Sequence, residues 1–335
     1  MTTEIAYSDK FNKHDDLGHP EKSKRLDAII EEIKKAPFYE ELKFIEPVLL
    51  DEKTLFEVHS KDMVELVKNM SLENKSWIDF DTYVCKNDYE TARLASGGLL
   101  HICKNVLKGK AKNGFALVRP PGHHATRARS MGFCLFNNAA IAANELTELG
   151  KKVLIFDWDV HHGNGTQDIF YDRKDVMYQS FHLSPHYPGT GDICEIGEND
   201  GEGYTINAPL AHGNGDNAVS KILDEIFLPI AKQFKPDFII ISSGFDSHHL
   251  DPLGGLELTS NFYGEMTSKF QKIQERIVGT LEGGYNLGWI GKCLVSHLGE
   301  LTDNTVKFID KTKENECVND LIKDIKKELE IYWDI

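Results

Sequence analysis

Apolar positions along this chain change their period several times, and each change marks an element. In "HPEKSKRLDAIIEEIKK", Pro20 precedes apolar Leu26, Ile29, Ile30 and Ile33, the spacing of one helical face, which predicts an early amphipathic helix. "FALVRPPG", from Phe115 to Gly122, is a short apolar run cut by prolines and reads as a buried strand opening into a loop. The alanine-rich "FNNAAIAANELTELGKK" follows as a helix with Gly150 close to its end. Then one grammar recurs: "KVLIFDWDVHHGNG", "DFIIISSGFDSHHLDPLGG" and "RIVGTLEGGYNLGW" each open as an apolar strand and close as a polar, glycine-bearing loop, the second strand running from about Phe238 to Ser242. Strands alternating with helices predict an α/β fold with right-handed crossovers, a mainly parallel sheet and helices on both faces. Near the end, Val318, Leu321, Ile322, Ile325 and Leu329 lie on one helical stripe, which predicts packing against a core.

Composition narrows this picture. With 335 residues, 41% of them hydrophobic, and no linker to cut at, the chain reads as one domain over 1–335. No stretch approaches the roughly 20 apolar residues needed to span a bilayer. The N-terminal "MTTEIAYSDKFNKHDD" has no apolar segment of secretory type, so a cytoplasmic protein without membrane contact is expected. The cysteines at 85, 103, 134, 194, 293 and 317 show no paired spacing and read as reduced, mostly buried thiols. A formal net charge of -15 argues against a nucleic-acid partner and suits either simple solubility or attraction of a cationic substrate.

The candidate chemistry lies in the loops after the strands, where parallel α/β sheets bind ligands. Strand alternation lets Asp157, Asp159 and His161 project to one side while Trp158 and Val160 project to the other. Two carboxylates and an imidazole buried together call for a cation, and His with Asp is an ordinary zinc ligand set. Equally, the two aspartates would serve to cap the next helix. A third ligand from another strand end is offered by Asp246, which by itself also suits a turn; His248 and His249 are rivals. The adjacent histidines His123 and His124 follow a Pro-Pro-Gly turn just past a strand end.

Six ordered segments, "RPPGHHA", "GFCLFNNAAIAA", "VLIFDWDVHHGNGTQDIF", "YPGTGD", "SSGFDSHHLDPLGGLELT" and "LEGGYN", resemble the histone deacetylase superfamily, nearest its class II-like members. That superfamily also holds deacetylase-like amidohydrolases, acetylpolyamine amidohydrolases and acetoin-utilisation proteins. The motifs cover about residues 7–298; the segment 301–335, with its amphipathic helix, carries none. The resemblance implies a single arginase-like α/β domain, an eight-stranded sheet and a metal at the strand carboxyl ends. By motif, Asp159, His161 and Asp246 match the zinc ligands, with ferrous iron as an alternative metal. Asp157, Asp159, His161, Ser180 and Phe181 match a structural potassium site.

The same resemblance gives the paired histidines a purpose. His123, partnered by Asp157, would supply electrostatic support; His124, partnered by Asn164, would act as general base and then acid. A carboxylate raises a partner imidazole's pKa more than a neutral amide does, so the two rings are expected to differ. Tyr285 would donate its hydroxyl to the developing oxyanion. Gly132, Phe133 and Tyr187 match the walls of a narrow channel, Asp81 a carboxylate at its rim, and Leu253 a place where a polyamine-selective member carries an acid. The implied reaction is amide hydrolysis on an acyl-lysine protein or peptide, with small acetylated amines such as polyamines as the alternative substrate and a non-catalytic acyl-lysine binder as a third reading.

Overall fold

The protein, described by a computed structural model over residues 2–335 and at Lys75 by its backbone alone, contains two sheets. The strands are β1 (Thr3–Ala6), β2 (Leu42–Ile45), β3 (Lys75–Trp77), β4 (Tyr83–Cys85), β5 (Asn113–Ala116), β6 (Val153–Asp157), β7 (Val176–Leu183), β8 (Thr205–Leu210), β9 (Phe238–Ser243) and β10 (Ile277–Leu281). Eight of them pair in the order β2-β1-β5-β10-β9-β6-β7-β8, every pairing parallel. β3 and β4 form a separate antiparallel hairpin.

The helices are α1 (Lys24–Ile33), α2 (Glu52–Val58), α3 (Lys61–Met70), α4 (Asp88–Leu107), α5 (Asn138–Thr147), α6 (Asn164–Phe170), α7 (Asp216–Ile222), α8 (Leu228–Phe234), α9 (Ser260–Gln271), α10 (Ile290–Leu301) and α11 (Asn319–Leu329). A π-helical turn, Leu223–Phe227, joins α7 to α8. On one face of the sheet α4 and α5 pack against β1, β5, β6, β9 and β10. On the other, Phe156 of β6 rests on Phe270 of α9 and on Phe227, while α10 packs between α1 and α9. Covered twice, β5, β6, β9 and β10 are buried throughout, the physical reason their sequences are near-continuous apolar runs.

β1, β2, β7 and β8 are less visible in the local pattern. β2 is a half-exposed edge strand, and β7 is fully buried yet carries Gln179, Ser180 and His182. Those polar groups find internal partners: Gln179 Nε2 donates to the Phe227 carbonyl at 3.0 Å, and Ser180 Oγ lies 3.0 Å from His182 Nδ1. Val318, just before α11, and Ile322, Ile325 and Leu329 within it are buried and Leu321 is partly buried, the packing that the stripe predicts, with α11 facing β8 and the π turn. Among the described residues no disulfide forms; Cys194 and Cys317 are exposed, and the other four cysteines are buried.

One buried ion cluster fastens the chain's start to the sheet. Glu21, just before α1, accepts both Nε and Nη2 of Arg119, the latter at 2.6 Å, and Nη1 of Arg25 at 3.0 Å. All three side chains are solvent-free, and burial alone would raise the Glu21 carboxyl; the Arg119 charge beside it holds it well below the usual carboxylate range. Arg25 also reaches across to the loop after β10, donating to the carbonyls of Glu282 at 2.5 Å and Gly284 at 2.6 Å. Removing one charge of such a cluster leaves the others uncompensated. Glu21→Gln is expected to cost about 3–5 kcal/mol, read as a lower denaturant midpoint at unchanged slope; an unchanged midpoint would show that the two arginines do not depend on it.

Candidate metal centre and channel

The loops with predicted chemistry follow β5, β10, β9 and β6, four neighbours at the centre of the sheet. Segments far apart in sequence therefore deliver side chains to one place at the strand carboxyl ends. β6 ends at Asp157, and the turn after it folds Asp159 and His161 back on themselves: Asp159 Oδ1 accepts the His161 backbone N–H at 2.9 Å and lies 3.0 Å from His161 Nδ1. Asp159 Oδ2 takes the Gly283 N–H at 2.8 Å, from the loop after β10. Gly283 is required there, because a Cβ would lie 2.0 Å from Asp246 Oδ2. Asp246, after β9, receives the Val160 N–H on Oδ1 at 3.0 Å and turns Oδ2 to within 3.3 Å of His161 Nδ1.

Neither Asp157 nor Asp159 caps the following helix. α6 begins behind Gly163 with no side-chain cap, so the capping reading of these aspartates does not hold. Instead α6 supports the histidine turn: Gly165 and Thr166 donate their N–H groups to the His123 carbonyl at 3.0 and 3.1 Å. His123 Nδ1 lies 3.0 Å from Asp157 Oδ2, and His124 Nδ1 lies 2.8 Å from Asn164 Oδ1, the pairing that the motifs imply. The two rings are 4.0 Å apart. Sequence reasoning missed the third support, Glu282, whose Oε2 accepts the N–H groups of Gly122 and His123 at 2.6 and 3.1 Å. A glutamate between a buried strand and two glycines was the available signal.

These contacts give the two imidazoles opposite tendencies. Burial lowers both, but the Asp157 and Asp159 charges outweigh it at His123 and raise that ring to about 10. At His124 burial and the neighbouring His123 and His161 charges act together and push the ring well below the ordinary histidine value. His161 is raised to about 10, burial being outweighed by Asp159 and Asp246. Burial raises Asp157 and Asp246, whereas at Asp159 the His123 and His161 charges overcome it and hold the carboxyl low. Burial also lifts Glu282, to about 7.

Four carboxylates thus share one buried region with two basic imidazoles, an arrangement that a cation compensates. The ligand atoms of Asp159, His161 and Asp246 lie within 4.8 Å of one another, and Asp246 Oδ2 is a buried oxygen that accepts no hydrogen bond. The set fits a divalent metal in charge, atom type and number. Its positive charge would lower both His123 and His124. Two further groups among the described residues could hold an ion, His14 with Cys85 and Asp88, and His248 with His249 and Asp310. His248 and His249, the rival ligands, turn away from Asp159 toward Asp310. At the expected potassium position, Asp157 and Ser180 are register partners across β6 and β7, while the Phe181 ring packs into the core on Phe156.

Above Asp159 and His161 a cavity of about 220 Å³ opens, lined by His123, His124, Gly132, Phe133, Tyr187, Leu253 and Tyr285, with Asp81 on its wall. Tyr187 meets His124 edge-on at 5.1 Å, and Phe133 meets Tyr285 edge-on at 5.9 Å. Gly132 and Phe133 both take left-handed backbone, φ 56° and 69°, and a Cβ on Gly132 would come 2.5 Å from the His124 ring. A non-glycine residue held there is backbone strain at a site wall. His186, which sequence reasoning passed over, stacks on His161 at 4.9 Å and donates Nε2–H to the Leu253 carbonyl at 3.1 Å. The Tyr285 N–H is held at 2.6 Å by Asp251, and burial pushes the Tyr285 hydroxyl well above its ordinary pKa, so it remains a donor.

Comparison with known proteins accords with this arrangement. The chain is 38% identical over 296 residues to a probable deacetylase of Archaeoglobus fulgidus, covering 86% of this chain and 82% of that protein. It is 41% identical over 298 residues to histone deacetylase 15 of Arabidopsis thaliana, covering 85% of this chain and 54% of the relative, and so spans about half the length of that protein. The crystal structure of the HDA15 HD domain superposes with a TM-score of 0.94 at 36% identity, covering 99% of this chain and 97% of that one. No helix among the described residues is long and apolar enough to cross a membrane. The family model for the histone deacetylase domain matches residues 19–301, so by sequence and by fold the chain belongs to the histone deacetylase family.

Proposed function

We propose that this protein is a zinc-dependent hydrolase that removes acetyl or other acyl groups from the ε-amino group of lysine in proteins or peptides. One observation carries the reading: the Asp159, His161 and Asp246 set lies under a narrow, aromatic-walled cavity, with two oppositely tuned imidazoles and a tyrosine beside it. Asp159, His161 and Asp246 would hold the zinc, with ferrous iron as the alternative metal. When bound, the metal would polarise the acyl carbonyl and lower the pKa of water, so that a hydroxide nucleophile is available at neutral pH. Asp157 and Ser180 would belong to a structural potassium site, together with backbone oxygens of Asp159, His161 and Phe181.

The chain's own groups account for the remaining chemistry. His124, neutral because of burial and its cationic neighbours, takes the proton from the attacking water and returns one to the leaving amine. Asn164 fixes the ring by accepting from Nδ1–H, which leaves Nε2 as the base. His123, drawn toward the protonated form by Asp157, favours the negative charge that grows on the carbonyl oxygen. Tyr285 donates its hydroxyl to that oxygen. Phe133 and Tyr187 enclose an alkyl chain and exclude bulk water, and Asp81 at the rim accepts from a substrate amide. Acetylated polyamines share the same alkyl amide, so they are the second reading; Leu253, an uncharged wall residue, favours acyl-lysine over a second ammonium group.

Tyr285→Phe is expected to retain the parent's metal content and to lower kcat on acetyl-lysine peptide on the order of 10²-fold, whereas His161→Ala should lose the metal. Undiminished kcat in the tyrosine variant would remove Tyr285 from the mechanism. Side-by-side hydrolysis of an acetyl-lysine peptide and an N-acetylpolyamine, with and without chelator, tests the substrate class. Chelator-sensitive turnover with a higher kcat/KM for the peptide is expected; preference for the polyamine would reverse the assignment.

A further inference from the structure

The loop after β9 serves the site twice. Asp246 joins the candidate metal set, and five residues on Asp251 Oδ2 accepts the backbone N–H groups of Tyr285 at 2.6 Å and Asn286 at 3.0 Å. Asn286 Nδ2 answers by donating to the Leu250 carbonyl at 2.6 Å, tying the two loops together. Between those aspartates, His248 and His249 point the other way. Their Nε2 atoms lie 3.0 and 2.7 Å from the two carboxylate oxygens of Asp310, which is carried on the coil between α10 and α11.

Asp310 is itself well anchored. Its Oδ2 accepts the Ser260 N–H at 2.7 Å, and Asn261 binds both the N–H and the carbonyl of Phe308, at 2.8 and 3.0 Å. Val306 and Phe308 are partly buried against the core, whereas Ile309, next to Asp310, is 97% exposed. What the strap brings inward is a carboxylate, at a side-chain exposure of 1%.

A metal is the obvious occupant of two imidazoles and a carboxylate, but the proton positions oppose it. Leu250 donates its backbone N–H to His248 Nδ1 at 3.2 Å, so the proton of a neutral ring sits on Nε2 and no lone pair is left there for a metal. The cluster is a hydrogen-bonded latch: Nε2–H of each ring donates to Asp310. Trp289 stacks on His248 at 4.9 Å and closes it from outside.

We infer that Asp310 is a positioning residue for the candidate metal centre: through His248 and His249 it fixes the loop that carries both Asp246 and Asp251. This rests on the reading of Asp246 as a metal ligand. Groups that hold a ligand in place typically account for about 10–100-fold in metal affinity or activity. Asp310 acts one step further out, so the lower end of that range applies.

The test measures the Kd for zinc by chelator competition, with kcat and KM on acetyl-lysine peptide, in the full chain and its variants. Asp310→Ala is expected to weaken zinc about tenfold and to lower kcat with KM unchanged. Asp310→Asn, which fills the same space but offers a single acceptor oxygen, should fall between, and it carries the test if the alanine variant does not fold. Glu314→Gln loosens the same strap elsewhere, where Glu314 Oε2 accepts the Asn217 N–H at 2.9 Å, and should leave zinc affinity and kcat at the parent's values. A folded Asp310→Ala or Asp310→Asn chain with the parent's zinc Kd would overturn the inference, as would His161→Ala binding zinc as tightly as the parent. Tight zinc with no amide hydrolysis by the parent would defeat the proposed activity alone, and the tenfold change in Kd would still support Asp310.

Discussion

Four buried carboxylates at the carboxyl ends of the central strands set the terms for the rest of this molecule. Asp157, Asp159, Asp246 and Glu282 are each solvent-free, and an isolated charge there would be prohibitively costly. Each therefore recruits backbone amides or imidazoles from a different loop: Asp159 from Gly283, Asp246 from Val160, Glu282 from Gly122 and His123, Asp157 from its own chain and His123. Glycine stands where these loops approach a carboxylate most closely: a Cβ on Gly283 would lie 2.0 Å from Asp246 Oδ2, and one on Gly163 would lie 2.2 Å from Asp157 Oδ2. Oδ2 of Asp246, left over from this matching, faces the imidazole of His161.

Support for this centre extends outward in layers. Arg25 holds the loop after β10 by its carbonyls while its own charge is answered by Glu21, which in turn pairs with Arg119 just before the Pro-Pro-Gly turn. The same buried glutamate thus ties the histidine turn and the tyrosine loop to one helix. On the opposite flank the β9 loop is secured by Asp251 to the tyrosine loop and by its two histidines to the C-terminal strap. Rigidity of this kind keeps reacting groups within the small tolerance that catalysis requires.

The neighbouring histidines illustrate how one turn yields two unlike groups. His123 and His124 are chemically identical and adjacent, yet one faces a carboxylate and the other an amide. Ring separation of 4.0 Å makes the charge of the first a reason for the neutrality of the second. Asn164, the first residue of α6, reaches His124 because Gly163 and Gly165 let the helix start close against the turn.

By itself the sequence determined the parallel α/β class, the strands after which the loaded loops come, and a set of side chains suited to a metal. Burial on both faces writes a continuous apolar run, and a polar loop after it is conspicuous; Asp157, Asp159, His161, Asp246 and His123 stood out as candidates for that reason, whereas Tyr285 was singled out only by the resemblance. Sequence motifs also named their partners through resemblance. Tertiary structure alone decided that β5, β10, β9 and β6 stand side by side, since strand order is a property of crossovers and not of any local pattern. It also set Asp246, rather than the rival His248 or His249, beside Asp159 and His161, and it alone revealed Glu21, Arg25, Glu282, His186 and Asp310. Arg25, His186 and Asp310 carry no local mark in the chain, and contacts with partners 60 to 260 positions away give them a role.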